Sequence, residues 1–249
     1  MRSFHEVLIE AADRPGVSAA SRRSVFALAA AAPLAFGLEA VLAKNPGRKK
    51  QQRQKRRKTR SADNTPAPPP ASQPTPAATP SDIAILNYAL TLEHLEYAFY
   101  RDALAAGGFN EKDFKGYLDP NLYERLLDIR DHERTHVEAL TATIQQLGGD
   151  PVEELRYDFG YATAREFLEV AQALENTGVS AYDGAIAGIT SPQLQTTGAT
   201  IATVEARHAS YLNLINGTNP FPAAFDTPLT MDEVLAIAGP FIVDCPPAG

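Results

Sequence analysis

The tightest constraint on this chain is a Glu-x-x-His pair that occurs twice, as Glu133–His136 and as Glu205–His208. Residues three apart share one face of an α-helix, so each pair sets a carboxylate beside an imidazole. That combination suits iron, manganese or zinc, and two such pairs suit a two-metal site. The fold therefore has to bring two helices together with those faces inward.

Local signals predict five helices and no strand. Ser81 and Asp82 open the first, which runs to Gly107-Gly108. Asp119-Pro120 opens the second, which stops at Gly148-Gly149. A capping box, Thr163 with Glu166, starts the third, which runs to about Ile189, and Ser191-Pro192 starts the fourth, which stops at Asn216-Gly217. A second box, Thr230 with Glu233, opens a short fifth helix. No segment keeps a period-2 alternation rich in β-branched residues. Short connections make helices 1 and 2, and helices 3 and 4, antiparallel hairpins. The stretch from Gly149 to Ala162 can extend to ~46 Å, against ~40 Å for a helix of this length. It is long enough to run the length of a bundle and make helices 2 and 3 parallel.

Each long helix carries one heptad-spaced apolar seam, and a glutamate interrupts every one. In helix 1 the seam is Leu86, Leu90, Glu93, Tyr97, Tyr100 and Leu104. Helix 2 contributes Leu126, Ile129, Glu133, His136 and Leu140, and helix 3 contributes Leu168, Ala171, Glu175, Gly178 and Tyr182. Helix 4 contributes Ile201, Glu205, His208 and Leu212. The glutamates lie near mid-helix, so in an aligned bundle all four meet at one level. Four carboxylates and two imidazoles in an apolar core repel one another and lose their hydration, a cost that two divalent or trivalent cations answer. Glu96, one turn beyond Glu93 beside a second apolar stripe, is the alternative to Glu93. Tyr97, Tyr100 and Tyr182 share the seams and can hydrogen-bond to the carboxylates. His94 and His132 adjoin the candidate ligands but point about 100° away, which makes them surface residues or supports behind the ligands.

The segment Leu92 to Tyr100 (LEHLEYAFY), Arg130 to His136, and Glu205 to Tyr211 resemble the ferritin-like superfamily, in a bacterial and plant branch that includes desiccation-related proteins. The resemblance covers about residues 81–243. It implies an all-α, ferritin-like four-helix bundle with one long crossover between helices 2 and 3, plus a short C-terminal helix. It also implies the ligand set Glu93, Glu133, His136, Glu175, Glu205 and His208, with Glu133 and Glu175 or their equivalents bridging two iron or two manganese ions. Zinc fits the same donors. The activity implied is redox chemistry on O2 or H2O2, of a peroxidase, oxidase or catalase kind. A non-catalytic stress or desiccation-related envelope protein, or iron sequestration, is the other reading.

Composition matters chiefly upstream of residue 81. Lys44 to Ala62 carries ten Lys and Arg and no acid, whereas residues 64–249 carry nine basic and twenty-five acidic side chains. The basic arm contains no large apolar residue, so it cannot bury a core. It contains no aromatic to stack a base, which disfavours nucleic acid and leaves an anionic envelope polymer or lipid, or a plain solvated spacer, as its role. Residues 64–80 are a Pro-rich linker. Ahead of the arm, Arg22-Arg23 followed by the alanine-rich run Ala27 to Leu38 resembles a twin-arginine export signal ending near Ala43. At roughly 15 residues, that run is short of the ~20 that span a bilayer, with an uncleaved anchor as the alternative. The expected organisation is a signal at 1–43, arm and linker at 44–80, and the helical domain at 81–249. Cys245 is the single cysteine, so the chain forms no internal disulfide.

Overall fold

The computed structural model describes residues 80–243. The expected export segment, the basic arm, all but the last residue of the linker, and Cys245 lie outside these residues. Five α-helices follow in order: α1 Pro80–Ala103, α2 Leu122–Gln146, α3 Ala164–Ile186, α4 Pro192–Ile215 and α5 Met231–Ala238. Short 3-10 turns at Glu111–Phe114 and Gly239–Phe241 complete the set. Among the described residues no strand forms, and the only β-type pairing is an isolated antiparallel bridge between Tyr157 and Ile242.

The caps act largely as their residues dictate. Thr163 accepts from the Glu166 amide while the Glu166 side chain accepts from the Thr163 amide, and Thr230 and Glu233 repeat the arrangement. Two starts differ in detail. Asn121, not Asp119, sits at the N-cap of α2, because Asp119 spends its carboxylate on the Asn121 amide in a turn ahead of the helix. Ser191 stands before Pro192 without a side-chain cap bond. Helix α1 ends at Ala103 rather than Gly107, where Gly107 adopts a φ of 93° and the chain turns away.

The α1/α2 and α3/α4 hairpins are the two main packing units, and α1 also packs on α3. The connection from α2 to α3 runs along α1. It begins at Asn87, which bonds the backbone of Asp150 and Val152, passes His94 at Val152 and Arg101 at Glu154, and ends with Phe159 and Tyr161 on Phe99. Its two ends therefore lie at opposite ends of α1, so α2 and α3 run parallel. This is the ferritin-like arrangement of two hairpins joined by one long crossover. The far end of α3 closes on the start of α1, where the buried Asp82 carboxylate accepts from the amide and the hydroxyl of Thr190.

Two apolar layers fill the bundle. One holds Leu86, Leu90, Leu140, Ile144, Ile189, Leu194 and Ile201. The other holds Phe99, Phe114, Leu126, Phe167 and Leu212, and α5 with the following turn adds Val234 and Phe241 to it. On α1, α2 and α4 the candidate ligands fall between these residues of the first layer and those of the second, and on α3 Glu175 falls between Phe167 of the second and Tyr182 of the first. The polar level is thus sealed above and below by hydrocarbon. Among the described residues no helix is long and apolar enough to cross a membrane.

Candidate metal centre

Mid-helix, the four glutamates meet. Glu93 of α1, Glu133 of α2, Glu175 of α3 and Glu205 of α4 have no exposed surface, and His136 and His208 are buried beside them. Their donor atoms form two overlapping groups, Glu93–Glu133–His136–Glu205 and Glu133–Glu175–Glu205–His208, within each of which all atoms lie inside 4.8 Å of one another. Glu133 and Glu205 belong to both groups. Of the two residues expected to be shared, Glu133 belongs to both groups and Glu175 to one, and Glu205 is the second residue common to both.

Each imidazole turns Nδ1 toward the carboxylates. Nδ1 of His136 lies 3.2 Å from Glu93, 3.1 Å from Glu133 and 3.0 Å from Glu205. Nδ1 of His208 lies 3.0 Å from Glu133, 3.2 Å from Glu175 and 3.6 Å from Glu205. One ring nitrogen carries at most one proton, so it cannot satisfy three oxygens. Oε1 of Glu133 and both oxygens of Glu205 are buried without a hydrogen-bond partner, although the imidazoles are close. An orphaned buried carboxylate oxygen is costly. Donors held at about 2.0–2.2 Å from one ion and at right angles around it stand roughly 3 Å apart. The observed spacings match that requirement, and Glu and His are suitable donors, so the residues present fit metal.

Electrostatics carry the same message. Burial first, then Glu205 and Glu175, push Glu133 well above the ordinary carboxylate range. Glu175 is pushed up to about 7, burial outweighing the opposing charge of His208. Burial also acts to raise Glu205, but the two imidazoles beside it prevail and hold it below its ordinary value. His136, despite burial, is raised to about 12 by Glu133, Glu205 and Glu93, and His208 is raised likewise by Glu175 and its neighbours. In the protein alone the imidazoles act as the cations that the carboxylates need.

Around this cluster the tyrosines divide. Tyr100 donates its hydroxyl to Glu175 at 2.6 Å, and Tyr182 donates to Glu93 through a short hydrogen bond. Tyr97 does not join them. It is half-buried, and the Arg101 guanidinium lies 5.3 Å from its ring centre, held by Glu154 of the crossover. From Glu93, Tyr97 is rotated about 40° one way and Glu96 about 60° the other, and around this level the buried face of α1 lies on the Glu96 side. Glu96 is itself buried, but it stands outside both donor groups with its carboxylate against Gly178 of α3. Glu93 thus holds the place beside His136, and Glu96 is an additional buried acid. Burial and the four glutamates push its carboxyl far up.

Of the two remaining imidazoles, His94 bonds the Val152 carbonyl through Nε2 and so belongs to the crossover. His132 is closer to the chemistry. Its Nδ1 lies 2.9 Å from Nε2 of His208, the nitrogen that faces away from the carboxylates. Burial, then the charges of His208 and His136, hold His132 below its ordinary value. Its sequence position next to Glu133 marks it as a neighbour of the site, but only the packing of α2 on α4 reveals its partner.

Comparison with known proteins gives the same fold. Protein rds1 of Schizosaccharomyces pombe (strain 972 / ATCC 24843) is 26% identical over 165 residues, which is 66% of this chain and 40% of that protein. The chain thus spans less than half the length of this curated relative. Residues 81–218, more than half of the chain and all of the candidate ligands, match the ferritin-like domain. By fold, by helix order and by sequence, this chain belongs to the ferritin-like domain family.

Proposed function

We propose that the chain is an exported protein that holds a dinuclear iron or manganese centre and carries out redox chemistry on O2 or H2O2. The observation behind this reading is the pair of donor groups that share Glu133 and Glu205. Glu93 and His136 would hold one ion and Glu175 and His208 the other, with Glu133 and Glu205, common to both donor groups, available to either. When bound, two iron or manganese ions supply electron exchange with O2 or peroxide, whereas zinc in the same donors would not.

The chain's own residues set the conditions. The two apolar layers keep bulk water from the carboxylates, which strengthens every charge interaction between them. Tyr100 and Tyr182 fix the orientation of Glu175 and Glu93 by donating to one oxygen of each, leaving the other free to ligate. His136 and His208 present Nδ1 and must release the proton there before metal binds. The paired arginines and alanine-rich run at 22–38 support delivery across the cytoplasmic membrane, and the arm at 44–60 supports contact with an anionic envelope polymer or lipid.

Elemental analysis of the purified protein, beside a Glu133→Ala/Glu205→Ala double variant, tests the centre. About two iron or manganese per chain, lost in the variant, is the expected result, and H2O2 consumption by the loaded protein then tests turnover. A protein that refuses iron, manganese and zinc under anaerobic loading overturns the reading. Full metal content without turnover would favour storage or a structural stress role.

A further inference from the structure

We propose that His132 is a positioning residue that fixes the ring and tautomer of His208 and so makes the two halves of the centre unequal, a proposal that rests on the dinuclear reading above. The geometry is specific. Nδ1 of His132 and Nε2 of His208 lie 2.9 Å apart, and the rings are inclined by only 10° with centroids 5.2 Å apart. That centroid separation is the nitrogen–nitrogen distance plus two ring radii. The rings therefore meet edge to edge in nearly one plane, the geometry of an in-plane hydrogen bond and not of a face-to-face stack.

A neutral imidazole has one N–H and one lone pair. For His208 to offer its Nδ1 lone pair toward Glu133 and Glu175, its proton must sit on Nε2. That proton needs an acceptor, and His132 Nδ1 is the atom in place to take it. Metal-binding histidines commonly have their far nitrogen tied in this way, and loss of the tie typically costs 10–100-fold in metal affinity. The other half of the centre differs: among the described residues, the far nitrogen of His136 has no hydrogen-bond partner. Near-symmetric donor groups are therefore supported asymmetrically. Ion uptake is expected in two distinguishable steps, with the His208 half depending on His132 and the His136 half independent of it.

Asn and Leu separate the acceptor from the shape. In His132→Asn the amide oxygen occupies about the position of the imidazole Nδ1, whereas His132→Leu has a similar outline and no acceptor. The experiment is anaerobic Co2+ titration of the full chain, read by equilibrium dialysis and by the ligand-field absorption of Co2+, with each variant also made in a His208→Ala background. Expected are two Co2+ in the natural chain, one binding step weakened 10–100-fold in His132→Leu with an altered spectrum, and recovery of most of that loss in His132→Asn. In the His208→Ala background the leucine change should have no further effect. Unchanged loading in His132→Leu, an Asn variant as impaired as the Leu variant, or a loss that persists without His208 would each overturn the proposal. If the natural chain takes up no Co2+, the dinuclear reading itself falls and this proposal falls with it, an outcome visible from the first titration alone.

Discussion

Tyr182 and Tyr100 hold opposite ends of the carboxylate cluster, Tyr182 through Glu93 and Tyr100 through Glu175. Removing the Tyr182 hydroxyl leaves a buried carboxylate oxygen unpaired, which costs about 1–3 kcal/mol. Tyr182→Phe should lower the stability of the metal-free protein by that amount in urea. Because Tyr182 serves one oxygen of Glu93 and metal would take the other, the deficit should persist in the metal-loaded protein, and a deficit that vanished with metal would argue that metal and the Tyr182 hydroxyl compete for the same oxygen. Gly178 makes a second test at this scale. A Cβ there would stand 2.9 Å from Glu96 Oε1. Gly→Ala within a helix ordinarily gains about 1 kcal/mol, and the displaced buried carboxylate should cancel that gain here. In a Glu96→Ala background Gly178→Ala should recover the full gain, and a double-mutant cycle measures the coupling. Both residues show where reading by heptads stops working. The heptad places Tyr97 on the seam, but the buried face of α1 at this level lies on the Glu96 side, where Glu96 meets Gly178 of α3. Spacing put Glu93, Glu133, Glu175 and Glu205 at one level. It had no means of showing that His132 reaches His208, because that contact depends on how α2 and α4 are rotated against each other.

The helices were legible because caps and seams are local. Thr163 and Glu166 are three residues apart and need no partner elsewhere, so their box appears in the structure as it does in the sequence. Thr163→Ala should cost about 1 kcal/mol by freeing the first-turn amides of α3, seen as a lower urea midpoint with an unchanged slope. The crossover was legible only as a length. Its route depends on Asn87, Arg101 and Phe99 receiving segments more than fifty residues away, and no spacing within α1 announces those partners. Asp82 is the sharpest example. In sequence it is an ordinary first-turn acid, but in the fold it is buried and holds the amide and hydroxyl of Thr190. Asp82→Ala should therefore destabilise by about 1–3 kcal/mol, well above the few tenths of a kcal/mol that a dipole contact at an exposed helix start would lose. A loss no larger than that of an exposed helix-start acid would refute the clamp between α1 and the α3–α4 turn.

In the whole molecule the acidic body and the buried carboxylate level make a single balance. The two imidazoles supply the counter-charge within the cluster when no metal is present, and metal must displace the protons they hold. Protons and metal compete for the same lone pairs, so affinity must fall as pH falls. Ligand that binds only the folded protein stabilises it, by about 2.7 kcal/mol per site at a hundred times the dissociation constant. Thermal melts with excess Mn2+ and with chelator, at pH 8 and at pH 6, should show a stabilising increment at both values that is smaller at pH 6. The site sets the sign: metal must displace the protons that His136 and His208 hold at both values, against a proton activity about a hundredfold higher at pH 6, and Glu175, raised to about 7, gains a proton between the two. An increment unchanged between the two pH values would place the stabilising ions on exposed carboxylates, which stay ionised across that range, outside the cluster. In the Glu133→Ala/Glu205→Ala variant the increment should vanish at both pH values, because the two residues common to both donor groups are gone while the apolar layers that hold the bundle together remain.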